Sequence, residues 1–158
     1  MFRAAIADGT ELGKRVEPIL ASGSLVPDEL TIALIGERLG LVDAQDGFVL
    51  DGFPRNLAQA EALDELLGGI GRGLDGILFF DLPDGVATER MLARAAEEGR
   101  PDDTPEVIAR RLQIYHSETE PIVEHYRTTG KLVPLHAGRT IDELWAEIER
   151  ALGEVSLA

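Results

Sequence analysis

The residues best placed to do chemistry lie in VLDGFPRNLAQ, residues 49–59. An apolar run stops at Asp51, Gly52 and Pro54 shape a turn, Arg55 follows, and Gln59 comes one helical turn later. An aspartate at a strand end can hold magnesium through water, or it can cap the turn or helix that follows. A guanidinium can grip phosphate through parallel hydrogen bonds, or it can close a surface salt bridge. A glutamine carries a donor and an acceptor side by side, which matches an adenine edge. Taken alone, Gln59 reads more simply as solvated helix surface. A second group follows the same logic. Arg90 and Arg94 share a helix face, Arg100 falls in a loop, Arg110 and Arg111 come on the next helix, and Asp102 and Asp103 lie between. Arginines around a loop suit a polyphosphate; from spacing alone, a surface helix paired to nearby acids is the simpler account.

Composition limits the possibilities. A chain of 158 residues with 44% apolar content can bury one core and is not disordered. The formal charge of −14 argues against a nucleic-acid partner, which needs a basic footprint. The positive residues are 13 Arg and only 2 Lys, a bias towards planar recognition of phosphate or carboxylate, or simply a bias of the source genome. There is no cysteine, hence no disulfide and no thiolate metal site, and His116, His125 and His136 are too scattered for zinc. No apolar run reaches membrane-spanning length and no secretory leader is visible, so a cytoplasmic protein is expected.

The elements that must position these residues alternate. Residues 1–7 read as the end of a helix, and 10–23 as a helix capped by Thr10 with a kink at Pro18. Residues 27–39 form a well-signalled helix, with proline and two acids in its first turn. Short apolar runs at 47–51, 76–82 and 131–137 read as buried parallel strands. Helices are expected at roughly 56–67, at 84–98, at 104–129 (one or two, interrupted near Pro121) and at 140–153, where Thr140 and Glu143 form a capping box. Loops are expected at 67–76 and 97–103. Strands alternating with helices imply an α/β fold with a parallel sheet between helical layers, and ligands on such sheets bind beyond the carboxyl ends of the strands. Asp51 and Asp81 lie at such ends.

Two glycine-rich stretches fail as phosphate loops. GTELGKR (9–15) has one residue too few between its glycines, and Arg15 replaces the Ser or Thr that would hold magnesium. GGIGRG (68–73) does not match the dinucleotide fingerprint, and no strand leads into it.

In combination, FRAAIADGTELG…ILASGSLVPDEL, VLDGFPRNLAQAEAL and GRPDDTPEVIARRLQIYHSETEPIVEHY resemble the adenylate kinase family over essentially the whole chain. The resemblance implies a P-loop kinase-like, three-layer α/β domain spanning 1–158, with AMP-binding helices in 1–40 and a core with a short lid near 95–103 in 41–158. It implies that Arg3 and Arg55 bind the AMP phosphate, that Gln59 reads the adenine, and that Leu25 and Val26 line that pocket. Asp51 would order magnesium through water, and Arg90 would lie against the ATP adenine. Arg94, Arg100 and Arg111 would surround the phosphates, with Asp102 and Asp103 positioning them. The implied partners are ATP, AMP and ADP, the implied cofactor is Mg²⁺ with ATP, and a monomer is expected. The lid AAEEG between Arg94 and Arg100 is short, and without cysteines it holds no zinc site.

One departure is large. The family begins with a strand, a glycine-rich P-loop with its lysine, a helix and another strand, and this sequence starts after them. The 158 residues alone are therefore expected to lack the main ATP anchor, to leave neighbouring strands with unpaired backbone, and to be inactive. The alternatives are a non-catalytic AMP-binding fragment, or a kinase for another nucleoside monophosphate.

Overall fold

The sequence of a parallel β-strand, a helical crossover and a second parallel strand forms the centre of the structure, a computed structural model that describes residues 1–100 and 102–155. Strand β1 (Ile77–Asp81) pairs with β2 (Leu132–His136), Ile77 beside Leu132 and Asp81 beside His136. Parallel neighbours need a long connection. Here it consists of α5 (Asp84–Glu98), α6 (Pro105–Ile114), a π-turn (Tyr115–Thr119) and α7 (Glu120–Arg127). Before β1 come α1 (Phe2–Ala7), α2 (Glu11–Ala21), α3 (Asp28–Leu39), a 3₁₀ turn (Val42–Ala44) and α4 (Leu57–Gly69); α8 (Ile141–Val155) follows β2. The α/β class expected from the sequence is the class observed.

The helix starts follow their local chemistry. Thr10 accepts from the Gly13 N–H, Asn56 from the Gln59 N–H and Thr104 from the Val107 N–H. Thr140 and Glu143 form the expected capping box, each accepting from the other's backbone N–H. Helix α2 continues through Pro18, whose ring removes the donor that the Lys14 carbonyl would ordinarily receive. Residues 67–69, expected in a loop, complete α4. Pro101 lies outside the described residues.

Helix α4 joins the two parts of the core. Its Leu63 and Leu67 pack with Ile35 and Leu39 of α3 and with Phe53. Its Ala60 packs with Ile122 and Tyr126 of α7, against Ile77 and Leu132 of the strands. Each fully buried leucine contributes roughly 1.5–3 kcal/mol by leaving water.

The structure corrects three expectations. Residues 47–50 take no regular secondary structure, Asp51 lies in a bend, and none joins a ladder among the described residues; Val49 is 94% exposed while Phe48 and Leu50 pack on the α3–α4 cluster. An apolar run becomes a strand only where a neighbour offers backbone partners, and β1 and β2 pair with each other. The sheet therefore has two strands, not three. Second, β1 is not fully buried, because Phe80 and Asp81 face out. Third, the break expected near Pro121 is a widened turn. The Glu120 N–H reaches back to the Tyr115 carbonyl, and Pro121, which has no N–H to donate, sits in the first turn of α7.

Candidate functional site

Two buried carboxylates between α5 and α6 gather arginines from three helices. Asp102 Oδ2 accepts from Arg3 Nη2 at 2.8 Å and from Arg111 Nη2 at 2.7 Å. Asp103 Oδ2 accepts from Arg94 Nε at 3.0 Å and Nη2 at 2.7 Å, and its Oδ1 accepts from Arg111 Nη1. Arg3 comes from α1, Arg94 from the end of α5 and Arg111 from the end of α6. The turn that presents the aspartates begins at Gly99, in the left-handed region, and ends at the Thr104 cap. Burial alone would raise the Asp102 carboxyl, but hydrogen bonds from Arg3 and Arg111 outweigh it and draw the pKa down to about 2. The hydrogen bond to Asp102 correspondingly raises the pKa of Arg3 against the effect of burial. Three guanidinium groups on two carboxylates leave the cluster positive.

Arg55 lies within reach of the charges of this cluster. It is exposed, its Nε donates to the Gly52 carbonyl at 2.7 Å, and among the described residues no carboxylate bonds to it. Partial desolvation by neighbouring atoms, then the charge of Arg111, lowers the Arg55 pKa; Asp51 offsets part of this, and Arg3 adds to it. Gly52 has φ +72°, which favours glycine, and a Cβ there would stand 3.0 Å from Nη2 at the flexible end of Arg55. The Phe53–Pro54 peptide is cis. Thr119 in the π-turn donates its hydroxyl to the Arg55 carbonyl at 2.6 Å, which ties the crossover to the same turn. Asp51 is exposed beside Arg55 and does not cap α4, a role filled by Asn56. Among the described residues no cluster of three or more acidic or histidine side chains can hold a metal unaided. A single exposed carboxylate such as Asp51 fits a magnesium ion that arrives with phosphate and water ligands, which it would hold through one of those waters.

Gln59 is not solvated surface; it is 2% exposed. Its Oε1 accepts from the Arg55 backbone N–H at 2.8 Å and its Nε2 donates to Asp28 Oδ1 at 2.7 Å. Val26 is buried and Leu25 half-buried in the extended segment that leads into α3. Two expected partners turn elsewhere. Arg100 donates to Glu98 at 2.6 Å, away from Asp102 and Asp103. Arg90 donates to the Ala137 and Arg139 carbonyls, which ties α5 to the loop after β2.

Sequence reasoning missed Asp28 and Asn56. Asn56 was discoverable, since an asparagine directly before an apolar helix is an N-cap signal. Asp28 read only as a first-turn acid, and nothing local indicates that its partners lie in α4.

Known proteins resemble this chain over most of its length. The family model described as adenylate kinase matches residues 1–131. A protein of Parvibaculum lavamentivorans named adenylate kinase is 44% identical over 156 residues, covering 97% of this chain and 76% of that protein. Proteins with the same name from Cyanothece and Caulobacter vibrioides are each 45% identical, covering 98% and 99% of this chain and 80% and 82% of their own lengths. The chain belongs to the adenylate kinase family, whose members are phosphotransferases acting on nucleoside monophosphates.

Proposed function

We propose that this chain forms the AMP side and part of the phosphate-transfer site of an adenylate kinase, which interconverts MgATP + AMP and two ADP. The observation that carries this reading is Arg55, a guanidinium with no carboxylate partner among the described residues, within reach of the charges of Arg111 and Arg3. Arginines held near one another without full neutralisation gain from a bound polyanion. Arg3 and Arg55 take the AMP phosphate, while Gln59, Leu25 and Val26 hold the base. Arg94, Arg100 and Arg111 surround the transferred phosphoryl group, Asp102 and Asp103 fix the orientation of Arg94 and Arg111, and Arg90 lies against the ATP adenine.

No side chain here needs to become a nucleophile. The AMP phosphate oxygen attacks the γ-phosphorus of ATP, that bond forms as the bond to the bridging oxygen breaks, and ADP leaves. The chain contributes alignment and positive charge where negative charge redistributes. Magnesium, when bound with ATP, shields charge on the phosphate oxygens, and Asp51 holds one of its waters. The 158 residues hold no G-x-x-x-x-G-K-[ST] loop, so by themselves they bind AMP and transfer no phosphoryl group. The same reading treats 1–158 as one domain, with AMP-side helices in 1–40 and a core with a short lid near 95–103 in 41–158. It works as a cytoplasmic monomer.

Calorimetric titration of the purified chain with AMP tests the reading. Millimolar-or-better binding is expected, weakened roughly tenfold to a hundredfold by Arg55→Ala through loss of charge-assisted bonds. Absence of binding by the folded chain overturns it. A coupled ATP/AMP assay tests the inactivity: turnover that Arg55→Ala abolishes would refute that part alone. Replacing AMP by UMP, CMP or GMP tests the acceptor base.

A further inference from the structure

We infer that Asp28 determines which purine the acceptor site takes, by fixing which way the Gln59 amide faces; this rests on the reading of Gln59 as the base contact. A terminal amide is nearly symmetric in shape, and only its hydrogen bonds say which end is oxygen. Here both ends are constrained. The Arg55 backbone N–H can only donate, and it meets Oε1 at 2.8 Å. The Asp28 carboxylate accepts, and it meets Nε2 at 2.7 Å. The same Asp28 oxygen accepts from Asn56 Nδ2 at 2.9 Å, while Asn56 Oδ1 accepts from the Gln59 N–H at 2.9 Å. One carboxylate on α3 thus orients two amides at the start of α4.

The orientation has a chemical consequence. With these bonds made, Oε1 keeps one lone pair and Nε2 one hydrogen. A 6-aminopurine offers the complement, a donor at the 6-amino group beside a ring-nitrogen acceptor. A 6-oxopurine presents an acceptor at position 6 beside the N1–H donor, so it needs the amide reversed. Reversal would set an NH₂ against the Arg55 N–H and an oxygen against the Asp28 carboxylate. In a buried site neither mismatch can be relieved by water. Base binding must uncover the two remaining amide positions, since Gln59 is 2% exposed. Asp28 is a positioning residue: it acts through Gln59 and does not touch the base.

The test uses AMP and IMP, which differ in the 6-substituent and the N1 proton. Both are titrated into the 158-residue chain, into Asp28→Ala and Asp28→Asn, and into Glu29→Ala. The last removes a neighbouring first-turn charge from α3 without touching Gln59. The wild-type chain is expected to prefer AMP by roughly tenfold to a hundredfold. Asp28→Ala, which removes the acceptor for Nε2, should move that ratio towards unity; Asp28→Asn, whose Oδ1 can still accept from Nε2, should move it less, and Glu29→Ala should keep it. The Gln59 side-chain amide protons, followed by NMR without ligand, should exchange slowly in the wild type and faster in Asp28→Ala. A folded Asp28→Ala chain with an unchanged AMP/IMP ratio overturns the inference and leaves the AMP site standing. If both Asp28 variants unfold while Glu29→Ala folds, Asp28 is only a brace between α3 and α4 and the inference falls. A wild-type chain that binds neither nucleotide removes the AMP site and this inference with it.

Discussion

At the scale of single residues, the site depends on side chains that touch across long stretches of sequence. Arg3 meets Asp102 at 2.8 Å across 99 residues, and Gln59 meets Asp28 across 31. Residue types showed in the sequence that arginines, aspartates and a glutamine could act together. They did not show that Asp102 and Asp103 are buried, or that Arg100 turns to Glu98 instead of joining them. Such pairings are set by how helices pack, and a local pattern of charges is the same whether its partner is water or another helix. Gly52 is the exception, because a turn between an apolar run and a helix already asks for glycine. Gly52→Ala is predicted to cost about 1–2 kcal/mol for its left-handed backbone. It also shifts the Arg55 guanidinium beside its bond to the Gly52 carbonyl, since the added Cβ would stand 3.0 Å from Nη2. AMP titration of the folded variant should show weaker binding at unchanged helical content. Undiminished AMP affinity would mean that Arg55 is not placed by this turn.

At the scale of elements, the helices were legible because their caps and apolar spacing are local, and the strand at 47–51 was not, because a ladder needs a partner. The crossover was half legible: Pro121 marked the place of a disturbance, but the widened turn depends on backbone groups on either side of it. Two contacts between elements give predictions. Helices α1 and α2 approach so closely at Gly13 that a Cβ would lie 2.1 Å from the Ala5 carbonyl oxygen. Gly13→Ala must therefore push the helices apart, at a cost of about 1–3 kcal/mol, although alanine is the better helix former. Chemical denaturation checks it, and a gain in stability would contradict the close approach. The second contact is His116, whose Nε2 meets Asp84 of α5 at 2.9 Å and whose Nδ1 meets Glu120 of α7 at 3.0 Å. The Tyr115 ring lies edge-on beside it. The hydrogen bonds to Glu120 and then Asp84 raise the His116 pKa above 6.5. A raised pKa means that the charged imidazole is favoured in the folded chain. Its stabilisation is complete below 6.5 and is lost as pH rises through the higher folded value. The melting temperature should fall between about pH 6 and about pH 8 by more in the wild type than in His116→Gln. Equal falls would mean that the clasp carries no pH dependence.

At the scale of the whole molecule, a chain of net charge −14 concentrates positive charge at one place, where α1, α5 and α6 converge on Asp102 and Asp103. Arg3 and Asp102 meet there across 99 residues of sequence, so this cluster is a long-range tie as well as a candidate phosphate site. Asp102 makes the tie sensitive to acid. Its folded pKa of about 2 lies below the ordinary 3.8, so its contribution is present in full above 3.8 and disappears as pH falls towards 2. The linked stabilisation is about 2 kcal/mol near neutral pH. Asp102→Asn keeps the shape of the side chain and removes the titration. It should lower stability near neutral pH, where Arg3 and Arg111 lose their shared charge, and should flatten the acid limb of the stability curve relative to the wild type. Other carboxylates titrate in both chains, so the difference between the two curves isolates Asp102. Parallel curves down to about pH 2 would mean that Asp102 binds its proton equally in the folded and unfolded chains. The two arginines would then be held by packing, with the carboxylate adding nothing.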